Sequence, residues 1–185
     1  SLLQATLDAA REAGLALLTV PRERGGGGLS LFDACLFLEG LARVRPSAAS
    51  ILAAHALLCG ATLARCADGA AALEALASDR VGAFALTEAG GGRSLNALGT
   101  RAELTEDGAG ARISGEKRYV TNGGALALVL IAASVEGEEG PALFVVDGDA
   151  PGIEWRPRRS AVGLRGTPVA DLVLREAPAL VSLGG

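Results

Sequence analysis

The stretch Val81-Gly82-Ala83-Phe84-Ala85-Leu86-Thr87-Glu88-Ala89-Gly90-Gly91-Gly92-Arg93-Ser94 is where this sequence changes its hydrophobic period. Ahead of it, apolar residues recur at helical spacing. From Val81 onward they alternate or run continuously in short segments bounded by turn residues. A helical block followed by a strand block predicts an α+β chain with two segregated units rather than a doubly wound sheet. The first is an N-terminal α-helical domain over residues 1–79, and the second a small antiparallel β-barrel or sandwich domain over 80–185.

Upstream of Val81, the spacing of Leu3, Leu7, Ala10, Leu15 and Leu18 predicts a first helix with one apolar stripe. Pro21 and the four glycines Gly25 to Gly28 then demand a loop. Ser30 and Asp33 offer a hydroxyl and a carboxylate to the free amides of a second helix over 31–44. Pro46 ends it, Ser47 is expected to cap a third helix over 48–66, and Asp68 opens a fourth that ends near Ser78. The uncharged run 48–64 is close to the shortest bilayer span, about 17 residues. Its Ala content, His55 in its middle and the lack of aromatic or basic flanks predict a buried core helix and no membrane partner.

Downstream, strands are expected at 81–87, 101–104, 111–113, 117–122, 126–133, 142–146, 153–155 and 169–174. Between them lie chain-reversing signals such as Asp107-Gly108, Asn122-Gly123-Gly124 and Pro151-Gly152. Eight short strands so spaced imply a sandwich or small barrel.

Composition excludes other classes. Of 185 residues 50% are hydrophobic and the formal net charge is -4, without a block of like charge, so a nucleic-acid partner is not expected. Gly is abundant at 26 residues but lacks the three-residue period of collagen. Aromatics are only 3%, so small and branched aliphatic side chains must fill the core. Cys35, Cys59 and Cys66 have neither disulfide nor zinc-framework spacing and read as core fillers in a reducing, cytoplasmic protein; no metal site is expected. His55, the only imidazole, has no partner at ligand spacing and reads as a core or interface histidine. Trp155, Arg156, Arg158 and Arg159 form a local basic cluster that reads as a solvated edge strand. The sequence opens at Ser1 and contains no Met, which fits a trimmed start.

Two segments invite chemistry. The strand that runs into Gly90-Gly91-Gly92 places successive backbone N–H groups where they can converge on an anion, although such a triplet also serves as a plain turn. It is neither a Walker loop nor a dinucleotide fingerprint, since no Lys-Ser or Lys-Thr follows and no helix opens there. The second segment is Gly115-Glu116-Lys117-Arg118-Tyr119-Val120-Thr121-Asn122-Gly123. Tyr119 and Thr121 stand two apart, hence on one sheet face, where a ring could stack on a planar ligand and a hydroxyl could hydrogen-bond it; a half-buried strand has the same pattern.

Taken together and in this order, these segments resemble the acyl-CoA dehydrogenase superfamily. The landmarks are Val20-Pro21 through Gly28-Leu29-Ser30, Asp33-Ala34-Cys35 into Leu38-Glu39, Thr87-Glu88, Lys117 to Asn122, and Gly163-Leu164-Arg165-Gly166-Thr167. The resemblance implies FAD as cofactor and an acyl-CoA or acyl-carrier thioester as substrate, in fatty acid metabolism. It implies α,β-dehydrogenation, with the β hydrogen leaving as hydride to the flavin. Phe84, Leu86 and Thr87 would lie along the flavin, Tyr119 would cover it, Val120 would lie beside it, and Thr121 would hydrogen-bond near its reacting nitrogen. Gly92 would approach the cofactor or thioester with its backbone, and Arg93 and Ser94 would meet the substrate. Two departures stand out: Ala89 replaces the family's Pro, and Arg93 occupies a small-hydroxyl position, where a guanidinium could bind an anion or obstruct the acyl path.

The family's C-terminal four-helix domain carries the catalytic carboxylate, much of the cofactor site and most of the oligomer contact. The resemblance places its start beyond Gly185, so that domain is absent and no catalytic residue is expected within this chain, which should not turn over alone. The complete protein would form a homo-oligomer and could pass electrons to an electron-transfer flavoprotein. Two other readings are compatible: a truncated, non-catalytic member that binds an acyl thioester or a protein partner, and a related acyl-CoA oxidase or flavin monooxygenase.

Overall fold

The computed structural model describes residues 1–90, 98–105, 110–124, 127–158 and 161–183. Helices α1 (Leu2–Glu12), α2 (Leu31–Val44), α3 (Pro46–Leu63) and α4 (Ala70–Ser78) precede all the strands. The strands are β1 (Val81–Ala85), β2 (Arg101–Leu104), β3 (Ala111–Thr121), β4 (Ala127–Val135), β5 (Pro141–Asp147), β6 (Ile153–Pro157), β7 (Val169–Pro178) and β8 (Val181–Leu183). The α+β division expected at Val81 is therefore present.

The sheet runs in the order β6-β7-β3-β2-β4-β5-β8, with β1 also paired to β4. It is mixed, since β1 and β2 both lie parallel to β4 while the other pairs are antiparallel, and it is not closed into a barrel. The uniform antiparallel pairing expected from sequence gives way at β1 and β2, because neither strand reaches β4 through a hairpin. β4 is buried on both faces, so it reads as a continuous apolar run. Val129, Ile131 and Ala133 join the sheet's own core with Ile113, Val120, Phe144 and Leu172. Leu128 and Leu130 face the helices, meeting Leu17, Cys59, Leu63 and Leu76.

Helix α2 begins as expected, with Ser30 accepting the Asp33 N–H at 3.1 Å. The first helix stops earlier than its leucines suggest. Gly14 adopts a left-handed φ of 70°, and Leu17, Leu18 and Val20 are all fully buried in the turns that follow. Three nearly consecutive buried residues cannot share one helical stripe, so the apolar signal here belongs to a packed loop. The glycine run closes that loop tightly: a Cβ on Gly26 would sit 2.0 Å from the Val20 carbonyl oxygen.

Helix α3 starts at Pro46, with Arg45 rather than Ser47 as its cap residue. Ser47 instead ties the helical block to the sheet. Its Oγ accepts from the Gly166 N–H at 3.2 Å, and its carbonyl accepts from the Thr167 hydroxyl at 3.3 Å. By length and composition α3 could cross a bilayer, but more than half of it is buried inside the protein. Its middle, Ala54–Gly60, is wound as a π-helix. This bulge brings the chain down onto β1, where Gly82 leaves room: a Cβ there would lie 2.8 Å from the Cys59 Cβ. The buried His55 accepts the Gly82 N–H on Nδ1 at 2.9 Å. At the far end of β3, buried Asn122 donates from Nδ2 to the carbonyls of Ile51 at 2.9 Å and Gly82 at 3.1 Å. Cys59 fills the core as expected, Cys66 is half-buried, and Cys35 is exposed on α2 instead.

Candidate functional site

The two segments singled out in the sequence meet at an irregularity in β3. Lys117 pairs with Leu172 of β7, and the next registered pair is Val120 with Ala170. Two residues, Arg118 and Tyr119, therefore oppose one, Asp171, which is the arrangement of a β-bulge. A bulge frees two backbone donors from the ladder, and each finds a separate partner. The Arg118 N–H donates to the Thr87 carbonyl at 2.7 Å. The Tyr119 N–H donates to Asp171 Oδ1 at 3.1 Å. Thus the Thr87 segment leaving β1 is fastened directly to the bulge that carries Tyr119.

Glu88 locks the same segment from the other side. Its Oε1 accepts from Lys117 Nζ at 2.8 Å, from the Thr100 hydroxyl at 2.6 Å and from the Thr100 N–H at 3.0 Å, while Oε2 accepts from the Gly99 N–H at 2.6 Å. Lys117 is completely buried and donates further to the Leu86 carbonyl at 3.2 Å. Burial alone would raise the Glu88 pKa, but these donors, the Lys117 ammonium first among them, outweigh it and hold the carboxyl at about 2. Burial lowers the Lys117 pKa against the pull of Glu88. A carboxylate so saturated with donors is an anchor and a poor proton acceptor.

The bulge also decides which side chains are offered outward. Tyr119 is 58% exposed, Val120 is buried in the sheet core, and Thr121 is half-buried, so Val120 has only its backbone available to a ligand. Leu86 and Thr87 are half-buried. Phe84 is also half-buried and packs against the core between helices and sheet, beside Leu128 and Leu130. Gly92, Arg93 and Ser94 lie outside the described residues. Past Tyr119 runs an open groove of about 1320 Å³ whose wall includes Gly123, Arg158, Gly163, Gly166 and Thr167.

Sequence reasoning missed Asp171, and it read Arg158 only as part of a solvated basic edge. The Arg158 guanidinium lies over the Tyr119 ring, 4.0 Å from its centroid, and forms a two-bond pair with Asp171, Nε to Oδ1 and Nη2 to Oδ2, each at 2.7 Å. Asp171 lies about fifty residues from Tyr119 in the chain, and only the strand register joins them. The hint that was present is a lone Asp in an otherwise apolar strand segment, Val169-Ala170-Asp171-Leu172-Val173-Leu174. Among the described residues no group of three His, Cys, Asp or Glu is placed to hold a metal ion.

Comparison with known proteins identifies the family. Residues 3–78 match the family model "Acyl-CoA dehydrogenase, N-terminal domain", and residues 83–177 match "Acyl-CoA dehydrogenase, middle domain". The chain belongs to the acyl-CoA dehydrogenase family. It is 32% identical over 175 residues to cyclohex-1-ene-1-carbonyl-CoA dehydrogenase of Syntrophus aciditrophicus, covering 89% of this chain and 41% of that protein. It is 29% identical over 163 residues to the mitochondrial isovaleryl-CoA dehydrogenase of rice, Oryza sativa subsp. japonica, covering 84% of this chain and 39% of that protein. A crystal structure of an acyl-CoA dehydrogenase from Bacillus anthracis, complexed with FAD, superposes with a TM-score of 0.83 at 29% identity, covering 97% of this chain and 31% of that one. The chain thus spans well under half the length of these relatives.

Proposed function

We propose that this chain supplies the N-terminal and middle domains of an FAD-dependent enzyme that removes the α and β hydrogens of an acyl thioester carried on CoA or an acyl carrier. The observation that carries the reading is the bulge, which joins Thr87 to the strand of Tyr119 and Thr121 and opens that strand onto a groove. The fit of the residues present supports FAD: the exposed Tyr119 ring stands on the groove wall with Gly163, where an added side chain would meet open space, and the half-buried Thr87 and Thr121 lie on the two segments that the bulge joins. When bound, FAD would supply the hydride acceptor. Tyr119 would cover its flat ring system, the hydroxyls of Thr87 and Thr121 would hydrogen-bond its polar edge, and Leu86 and Phe84 would exclude water nearby. Arg93 and Ser94, on the segment that follows Glu88, would meet the substrate.

The general base lies elsewhere in this account. Glu88, the carboxylate adjoining Thr87, is committed to Lys117, Thr100 and Gly99, and its low pKa leaves it no affinity for a substrate proton at neutral pH. Leu31, Phe32, Leu36 and Val44 stand exposed on α2, large apolar side chains of the kind that protein contacts cover, which supports work within a larger, oligomeric enzyme. An electron-transfer flavoprotein is the proposed electron acceptor. The test uses the complete protein that contains this chain. It should purify yellow, and acyl-CoA added without oxygen should bleach the flavin band. A colourless preparation that ignores added FAD contradicts the reading, and rapid reoxidation by air with peroxide release would replace it with an oxidase.

A further inference from the structure

Tyr119 is held in a conformation that its own packing does not explain. Its φ is 57°, a region that bulky L-residues rarely occupy, and its side chain is more exposed than buried. Neither backbone preference nor hydrophobic burial therefore fixes where the ring points. Among the described residues, the Arg158 guanidinium lies over the Tyr119 ring and Asp171 holds the Tyr119 backbone. Asp171 takes the Tyr119 N–H on Oδ1 and both guanidinium donors of Arg158, so one carboxylate sets the backbone and the stacking partner together. Arg158 is fixed at its own backbone too, its N–H donating to the Val169 carbonyl at 2.9 Å.

We propose that Arg158, clamped by Asp171, is a positioning residue that fixes the Tyr119 ring at the edge of the groove as a ready platform for a flat aromatic ligand. The identity of that ligand as FAD rests on the function proposed above; the positioning itself does not. A planar guanidinium is required, because it must lie flat against a ring on its face while its edge forks onto a carboxylate. Lysine keeps the charge but can do neither. A ring fixed in advance leaves less motion to be lost on binding, so the clamp acts on affinity without touching the ligand. It also gives a use to an arginine whose neighbours Glu154 and Arg156 form exposed surface pairs with each other, with Arg175 and with Glu116.

The experiment compares the complete protein that contains this chain with its Arg158→Met, Arg158→Lys and Asp171→Asn variants, using tyrosine labelled with carbon-13. The Tyr119 ring signals are assigned by their loss in Tyr119→Phe. All three variants should move those signals toward the positions of free tyrosine. They should also weaken FAD, followed by flavin fluorescence, about two- to five-fold, the range of an exposed cation–π contact. Arg158→Lys, the mildest change, keeps the test valid if Asp171→Asn unfolds the bulge. Ring signals unmoved in Arg158→Met and Arg158→Lys would overturn the proposal. If the unaltered protein takes up no FAD, the cofactor reading fails, and the ring signals alone decide the positioning role.

Discussion

Replacing Glu88 with Gln should cost the protein more stability than replacing its partner Lys117 with Met. In Glu88→Gln the Lys117 ammonium stays sealed from solvent with the Leu86 carbonyl as its remaining acceptor of full strength. Breaking a buried ion pair from one side costs about 3–5 kcal/mol, chiefly through the stranded charge. The lysine can escape by shedding its proton, which from a solution pKa near 10.4 costs about 4.6 kcal/mol at pH 7 and so caps the penalty. In Lys117→Met the Glu88 carboxylate keeps the N–H groups of Gly99 and Thr100 and the Thr100 hydroxyl, and its side chain remains 14% exposed. That loss should be about 1–3 kcal/mol, the range for a missing hydrogen bond to a charged group. Urea unfolding of the two variants and of the double variant measures all three quantities. The sign of the pH effect follows from the escape route. Once Lys117 is neutral in folded Glu88→Gln, the unfolded chain binds one more proton, so stability rises with pH by up to about 1.4 kcal/mol per unit between pH 7 and 9. A larger penalty in Lys117→Met, or a flat pH profile in Glu88→Gln with the lysine still charged, would refute the account of a sealed ammonium held by Glu88.

His55 should make the fold acid-sensitive. Burial first, and then the Arg11 charge, lower its pKa from 6.5 to about 4 despite the opposing Leu76 backbone oxygen. A histidine that resists protonation when folded contributes stability that is complete above pH 6.5 and is lost as pH falls toward 4, a loss of about 3 kcal/mol. His55→Ala, less stable throughout because the Gly82 N–H loses its acceptor, should abolish that slope in urea titrations at pH 7 and 4.5, and an unchanged slope would assign it to another group. Gly82→Ala should cost about 1–3 kcal/mol by overpacking against the π-helix backbone and Cys59. Gly60→Ala should cost less in thermal unfolding, because its added methyl meets the flexible end of Leu17 at 2.7 Å, and equal costs would contradict the close approach of α3 to β1.

The sequence disclosed most where a local rule acts alone. The Ser30 cap, the extent of α2 and the position of β2 depend on neighbours three or four residues away. The readings that failed all needed a distant partner. Leu15 and Leu18 fall on a helical stripe, but burial under α3 and the sheet turned that segment into a loop after Gly14. Ser47 has the chemistry of a cap, yet its hydroxyl serves Gly166, 119 residues away. Gly115 fell between two expected strands, 111–113 and 117–122; instead β3 continues through it, since the missing Cβ admits Thr100. The short β8 carried too few residues to show a period. At the site, Thr87 and Tyr119 were legible as motifs and their adjacency was not, because a bulge is a property of two strands in register. Asp171, and the pairing of Arg158 that replaces its reading as a solvated edge residue, became visible only through that register.

The central claim is that the bulge at Tyr119 and the segment at Thr87 together form one wall of a flavin site. A crystal structure of the complete protein grown with FAD tests it most directly. The claim predicts the flavin ring stacked on Tyr119, with the hydroxyls of Thr87 and Thr121 within hydrogen-bond distance of its polar edge. A flavin ring bound away from β3, or bound there with both hydroxyls turned from it, would contradict the claim.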